Sequence, residues 1–315
     1  MRIHLRHLPA SPSKYMPPIL AANPSLRGIG MTVLATAFFA MLDTSMQYVA
    51  TAIPVVMALW VRYCIQTAFS AVAVYRLEGR LLPKAKEPGL QIFRGLLFVL
   101  TSIFAFLSLR HVSVGEFAAV MMMTPVVVSV LVAFLSREAV RPLRWVLLAV
   151  SVAGTITVIR PGSHTISWML LYPLGALVSN TFFLIVTSRL ASKDTPLSTH
   201  FYSGLLGVIV LSILLPRYWS VDASALMWSV LALGAVAASC GHILLVSAYQ
   251  YAPASVLTPY LYIQLPFATF AGWLVFAKAV DIFTFIGIGL IIAAGTIGTL
   301  LTHRERRNFQ NLKNF

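Results

Sequence analysis

The chain is dominated by apolar runs that are each about as long as a membrane-spanning helix. A helix needs roughly 20 mostly apolar residues to cross a bilayer, where it must satisfy its own backbone hydrogen bonds. The runs that qualify, within about 3 residues at each end, are 28–48, 55–75, 91–109, 114–135, 144–159, 166–188, 199–215, 225–248, 254–276 and 282–301. The sequence therefore predicts an all-α integral membrane protein with ten transmembrane helices.

Composition supports this fold class. Of the 315 residues 59% are hydrophobic and 10% are charged, and the mean hydropathy is +0.85, which exceeds what a soluble core could enclose. The connections are short and carry Gly, Pro and charged residues, so no separate soluble domain is expected. Cys64 and Cys240 lie in distant apolar runs, and we expect no disulfide framework.

The net charge of +14 is explained by topology rather than by a nucleic-acid partner, because cytoplasmic loops retain Lys and Arg. With the N-terminus inside, 18 of the 23 Lys and Arg residues fall on the cytoplasmic side, four fall on the opposite side, and Arg62 lies within a span. We expect cytoplasmic tails at residues 1–27 and 303–315 and a location in a bacterial inner membrane. The proline-rich N-terminal tail lacks the apolar core of a secretory signal, and an organelle transit peptide is a minor alternative.

Short sequence matches divide the chain into two halves. "AGTI" occurs at 153–156 and at 294–297, and Pro125 and Pro266 share the same offset of 141 residues. "REAV" at 137–140 and "AKAV" at 277–280 differ by 140. These matches predict five-helix repeats at 28–160 and 161–302. Because five is odd, the second repeat enters the membrane from the opposite side, which makes the repeat inverted.

Inverted repeats in membranes can rock about a central site and expose it to each side in turn. Pro125 and Pro266 occupy corresponding helices, and each proline frees polar backbone near the middle of its span. We therefore expect them beside a central cavity. The alternative is that the two prolines only kink their helices.

Two charges lie inside the first two spans. Counting from the connection near residues 49–54, Asp43 and Arg62 sit within roughly 3 Å of the same depth at 1.5 Å rise per residue. Isolated charges are costly there, so a mutual salt bridge is the expected arrangement. The pair either locks two helices together or borders the cavity and orients a charged or zwitterionic substrate.

Other polar and adaptable residues inside the spans complete the candidate site. They are Gln47, Met122, Asn180, His242, Tyr260 and Gln264. His242 has two interpretations, since an intramembrane histidine can shuttle protons or can be a hydrogen-bonded packing residue.

Several of these segments resemble the EamA-type carriers of the drug/metabolite transporter superfamily. The marks are "LDTSMQY", "LWVRY", "FRGLL", "SVGEFAAVMMMTPV", "LSREAV" and "IRPG", in that order over residues 28–302. The resemblance implies ten helices in two inverted repeats, with the fourth and ninth helices lining a central cavity, and substrates such as amino acids, other metabolites or drugs. The second half departs from the family pattern at "FAKAV", where Lys278 stands in the place matching Glu138.

Together these features predict a secondary transporter for a small polar metabolite such as an amino acid, without a cofactor or metal. A drug exporter of the same fold is the main alternative. An enzyme is disfavoured because no catalytic set is evident, and a channel is disfavoured because the connections are too short for a selectivity filter. Proton coupling and the choice between monomer and homodimer stay open.

Overall fold

The computed structural model describes residues 24–80, 82–135, 142–159, 168–190, 193–219, 223–248, 251–252, 254–277 and 280–313. These residues form helices and no strand. The predicted N-terminal tail to residue 23, the "REAV" loop with Glu138, and Lys278 lie outside the described residues.

Twelve α-helices and one short 3-10 segment make up the described part of the chain. The helices are α1 (Pro24–Val49), α2 (Val55–Glu78), α3 (Pro88–Leu109), α4 (Val114–Met121), α5 (Thr124–Leu135), α6 (Pro142–Ile159), α7 (Leu171–Leu190, preceded by the 3-10 segment Trp168–Leu170), α8 (Pro196–Tyr218), α9 (Ala225–Ala248), α10 (Ala254–Leu261), α11 (Gln264–Phe276) and α12 (Ile282–Lys313).

Within the described residues, six helices are long and apolar enough to cross a membrane: α1, α2, α3, α7 with its 3-10 segment, α8 and α9. The fourth and ninth predicted spans, 114–135 and 254–276, are each divided into two helices. The last helix continues to Lys313, beyond the predicted end of the span at residue 301.

Helix packing follows a symmetric pattern between the two halves. α1 packs on α9, and α3 packs on α7. α1 and α3 are the first and third spans of the first half, and α7 and α9 are the first and third spans of the second half. Exchanging the two halves therefore turns each of these pairs into the other. α2 packs on α8 and α6 packs on α12, and exchanging the two halves leaves each of these pairs unchanged. The fourth and ninth spans also meet, through α4 and α11. The two exchanging pairs and the two unchanged pairs agree with a two-fold relation between the halves.

The contact between α6 and α12 depends on two glycines. A Cβ at Gly287 would lie 2.6 Å from the carbonyl oxygen of Gly154, and a Cβ at Gly154 would lie 2.9 Å from that of Gly287. The helices therefore touch backbone to backbone, which is the role of small residues at helix interfaces in membranes.

The outer surface is apolar. Large side chains such as Leu34, Val178 and Ile213 are exposed on different helices, whereas polar residues such as Thr36, Gln66 and Ser239 are buried. A soluble protein rarely exposes so much contiguous apolar surface, and lipid contact explains it.

Candidate functional site

Two helix breaks lie at corresponding places in the two halves. α4 ends at Met121 and α5 begins at Thr124, while α10 ends at Leu261 and α11 begins at Gln264. Pro125 is the second residue of α5 and Pro266 is the third of α11, so each proline follows its break at once. Each span is therefore interrupted beside its proline.

Local contacts replace the hydrogen bonds that the prolines remove. A helical residue at 125 would donate to the carbonyl of Met121, and that oxygen instead accepts the Thr124 hydroxyl at 2.6 Å. The corresponding carbonyl of Tyr262 accepts the amide of Leu265 at 3.1 Å. Asn180 of α7 donates to the Thr124 hydroxyl at 3.4 Å, so that candidate residue lies against the first break.

The second break meets a buried charge. Gln264, the first residue of α11, donates from Nε2 to Oδ2 of Asp43 at 3.1 Å. Asp43 lies on α1 and is 9% exposed. Of the proposed site residues, these two are in direct contact.

The predicted salt bridge between Asp43 and Arg62 is wrong. Within the described part of the chain the two side chains form no ion pair, although the Arg62 charge acts on Asp43 at longer range. Arg62 donates instead from Nη2 to the Ser102 hydroxyl of α3 at 3.1 Å. Rise per residue predicts the depth of a residue in its span, but the direction of its side chain depends on the rotation of the helix, which depth does not determine.

Arg62 lies beside two aromatic rings. Its guanidinium carbon lies 5.2 Å from the ring centre of Tyr63 and 5.6 Å from that of Phe98, distances at which a cation is attracted to a ring. Its Nε is buried and has no hydrogen-bond partner. A buried donor without a partner is costly, so Arg62 has hydrogen-bonding capacity that these protein contacts leave unused.

A second buried arginine was missed by the sequence reasoning. Arg94 was counted among the 18 cytoplasmic Lys and Arg residues although it falls in the predicted span 91–109. It lies within α3 and is 8% exposed. Its Nε donates to the Thr187 hydroxyl at 2.7 Å, and Nη1 donates to the carbonyl of Thr199 at 3.1 Å and to the Ser203 hydroxyl. It thereby connects α3 to α7 and α8.

Two histidines extend this basic region. The rings of His200 and His242 are 5.5 Å apart, and His242 also meets the rings of Phe39 and Phe98 edge-on. His200, which the sequence reasoning did not single out, contacts the Ser70 hydroxyl through Nδ1 at 2.8 Å, and its Nε2 has no partner. Each histidine stands alone in a mostly apolar helix, so the sequence gives no sign that the two lie next to each other.

The other candidates hold the structure around the site. Gln47 donates to the carbonyl of Val112 at 2.8 Å and accepts the amide of Val114 at 3.3 Å, so both ends of its amide are engaged at the start of α4. Met122 is buried at the first break, and Tyr260 is half-buried just before the second. Among the described residues no group of His, Cys, Asp and Glu is arranged to hold a metal ion.

Comparison with known proteins identifies the fold family. A family model described as the EamA-like transporter family matches residues 26–160 and 167–300. The chain belongs to the EamA-like transporter family. Membership identifies a transporter rather than an enzyme, and it agrees with the resemblance inferred from the sequence motifs.

Relatives of this EamA-like transporter carry different substrate names. It is 24% identical over 274 residues to an S-adenosylmethionine uptake transporter of Rickettsia felis, covering 85% of this chain and 91% of the relative. It is 25% identical to a pseudopaline exporter of Pseudomonas aeruginosa, with 85% and 94% covered. A riboflavin transporter of Rhizobium johnstonii is 27% identical, with 87% and 92% covered. One crystal structure, at 14% identity, matches with a TM-score of 0.64 over 88% of this chain and 98% of that chain, which shows a shared fold.

Proposed function

We propose that the protein is a secondary transporter that moves a small polar metabolite, such as an amino acid or a related organic compound, by alternating access. Its ten spans would form two inverted five-helix repeats in a bacterial inner membrane, with both termini cytoplasmic. The observation that carries this proposal is the pair of matched helix breaks, one of which places Gln264 on the buried carboxylate of Asp43. Broken helices at a repeat interface are where transporters bind their substrates.

The substrate we favour carries both an amine and a carboxylate. Asp43 and Arg62 are opposite charges that are held by the neutral partners Gln264 and Ser102 rather than by each other. Two buried charges kept apart are more costly than a good ion pair. A zwitterion would offset that cost by bringing its amine to Asp43 and its carboxylate to the free Nε of Arg62.

A drug or xenobiotic exporter is the second candidate. It is favoured by the ring cluster at the same place, where Phe98 stacks on Phe183 at 5.1 Å and Phe39 and His242 pack alongside. Such a surface suits a flat aromatic compound. The relatives named for riboflavin and for S-adenosylmethionine uptake make both compounds suitable probes.

The test combines ligand binding with uptake. Purified protein is heated in detergent with amino acids, S-adenosylmethionine or riboflavin, because a ligand raises the melting temperature of the state it binds. Compounds that stabilise are then measured for uptake into protein-containing vesicles. Chemical conversion of the compound, or stabilisation without any vesicle uptake, would contradict a transporter. Aromatic compounds that stabilise while zwitterions do not would favour the exporter.

The variant Asp43→Asn keeps the shape of the side chain and removes its charge. Its matched control is Asp281→Asn, because Asp281 is an exposed carboxylate that accepts the amide of Thr284 at the start of α12 at 2.9 Å, and Asn caps helices equally well. We expect loss of ligand stabilisation in the first variant and retention in the second.

A further inference from the structure

A cavity of about 880 Å³ lies away from the central site, between the connection from α2 to α3 and the first turns of α8. Its lining has two chemical halves. Arg80, Lys84, Lys86 and Lys193 give it cations, and hydrophobic side chains of α3 and α8 form the opposite wall. No residue of the proposed transport site borders it.

The cationic half contains charges that are not neutralised by neighbours. Lys193 pairs with Glu87 at 2.5 Å. The carboxylate of Asp194 is engaged by the backbone amide of Lys86 at 2.8 Å and by Gln91 at 2.7 Å. Within the described residues the side chains of Lys84 and Lys86 form no ion pair, and both are exposed. Two ammonium groups are therefore available at the rim of the cavity.

The connection that carries these lysines is fixed in place. The hydroxyl of Tyr202 donates to the carbonyl of Pro83 at 2.6 Å, and the hydroxyl of Ser198 donates to the carbonyl of Lys84 at 3.1 Å. With the amide of Lys86 on Asp194, three contacts tie the connection to residues 194–202. The cavity is thus preformed, and it joins the first half of the chain to the second.

The hydrophobic wall continues onto the outer surface of the molecule. Ile92 and Ile209 both border the cavity, and they are 53% and 52% exposed. Leu205 and Leu206 complete this wall. Ile92 lies only four residues after the start of α3, so the apolar wall begins at the level of the lysines and runs towards the lipid.

We propose that this cavity binds one anionic phospholipid of the cytoplasmic leaflet, with its phosphate at Lys84 and Lys86 and an acyl chain along Ile92 and Ile209. Basic pockets between membrane helices on the cytoplasmic side suit such headgroups, and the distribution of Lys and Arg places this end of the molecule on that side. A soluble anion would use the lysines but would gain nothing from the apolar wall. The bound lipid would hold the connection from α2 to α3 against α8.

The experiment titrates three probes into detergent-solubilised protein and records the melting temperature and, by native mass spectrometry, the number of bound lipids. The probes are phosphatidylglycerol, phosphatidylcholine and glycerol 3-phosphate. We expect stabilisation and one tightly bound molecule with phosphatidylglycerol alone. Equal stabilisation by phosphatidylcholine would overturn the role of charge, and equal stabilisation by glycerol 3-phosphate would overturn the role of the acyl chain.

Variants locate the site. Lys84→Gln with Lys86→Gln leaves the backbone contacts in place and should weaken phosphatidylglycerol binding by about 5-fold for each lysine removed. The matched control, Arg110→Gln with Arg217→Gln, removes two exposed charges outside the cavity and should bind as wild type does. Lys84→Arg with Lys86→Arg should retain binding, which separates loss of charge from misfolding. Equal weakening in the control, or no weakening in the glutamine variant, would overturn the proposal.

Discussion

Asp43 and Arg62 have two alternative roles, which are to lock two helices together or to contact the substrate. Each charge costs about 2.5–3.5 kcal/mol in the middle of a membrane helix, and each is nearly buried. The structure provides one neutral partner for each charge, Gln264 and Ser102. A helix lock would bring the two charges together, so we propose that they serve the substrate.

The first prediction follows from that assignment. We expect Asp43→Asn and Arg62→Gln each to reduce uptake at least tenfold, since a hydrogen bond to a charged group contributes about 1.5–3 kcal/mol. The double variant should fold and melt like the single variants yet stay inactive. Uptake is measured in vesicles and normalised to folded protein. Near-wild-type uptake by the double variant would show that the charges serve only each other.

The second residue-scale prediction concerns Arg94, whose guanidinium reaches both α7 and α8. Lysine keeps the charge but cannot donate in several fixed directions at once. We expect Arg94→Lys to lower the free energy of unfolding by about 2 kcal/mol, because at least one hydrogen bond from a buried charged group is lost. Arg110→Lys, at an exposed helix end, is the control and should leave the thermal melting curve unchanged. Identical melting of both variants would mean that the Arg94 contacts add nothing to stability.

At the scale of helices, apolar length was a reliable guide and side-chain direction was not. The predicted span 225–248 coincides with α9, because length and hydropathy alone decide whether a segment can cross a bilayer. Pro125 and Pro266 indicated the interruptions, but the sequence did not show that the helices would end there. The partners of Asp43 and Arg62 could not be predicted, since a helix that is apolar on all sides gives no sign of which face meets which neighbour.

The third prediction tests the close approach of α6 and α12. In Gly287→Ala the new Cβ would lie 2.6 Å from the backbone oxygen of Gly154, so the two helices must move apart. Overpacking of this kind costs about 1–3 kcal/mol, which we expect to see as a lower melting temperature. Gly289→Ala is the control on the same helix, because a Cβ there meets nothing within 4 Å. A Gly287→Ala variant as stable as this control would exclude backbone contact between the helices.

At the scale of the whole molecule, two independent observations agree with ten spans arranged as two related halves. One is the uneven distribution of Lys and Arg between the two sides of the membrane, and the other is the pairing of the helices. When Arg94 is counted in α3 and not in the cytoplasmic loops, the predicted cytoplasmic side still carries more Lys and Arg than the opposite side. The pairs α1 with α9 and α3 with α7 exchange between the halves, a relation that was not evident from a few four-residue matches. Inversion of the second repeat is a statement about which side of the membrane each loop faces, so labelling of corresponding loops tests it.

The last prediction measures that inversion directly. Thr51 follows the first span of the first half, and Lys193 follows the first span of the second half; both are exposed. In inverted repeats these corresponding loops face opposite sides. In a background of Cys64→Ala and Cys240→Ala, we expect a membrane-impermeant maleimide to label Thr51→Cys in intact cells and to label Lys193→Cys only after permeabilisation.

Two further positions serve as internal controls for this labelling. Gly89→Cys, where an added Cβ meets nothing within 4 Å, should behave like Lys193→Cys, and Ser224→Cys in the connection before α9 should behave like Thr51→Cys. If Thr51→Cys and Lys193→Cys were labelled from the same side, the repeats would be parallel. The two halves could then not exchange roles across the membrane, and rocking of inverted repeats about Asp43 and Gln264 would be excluded as the transport mechanism.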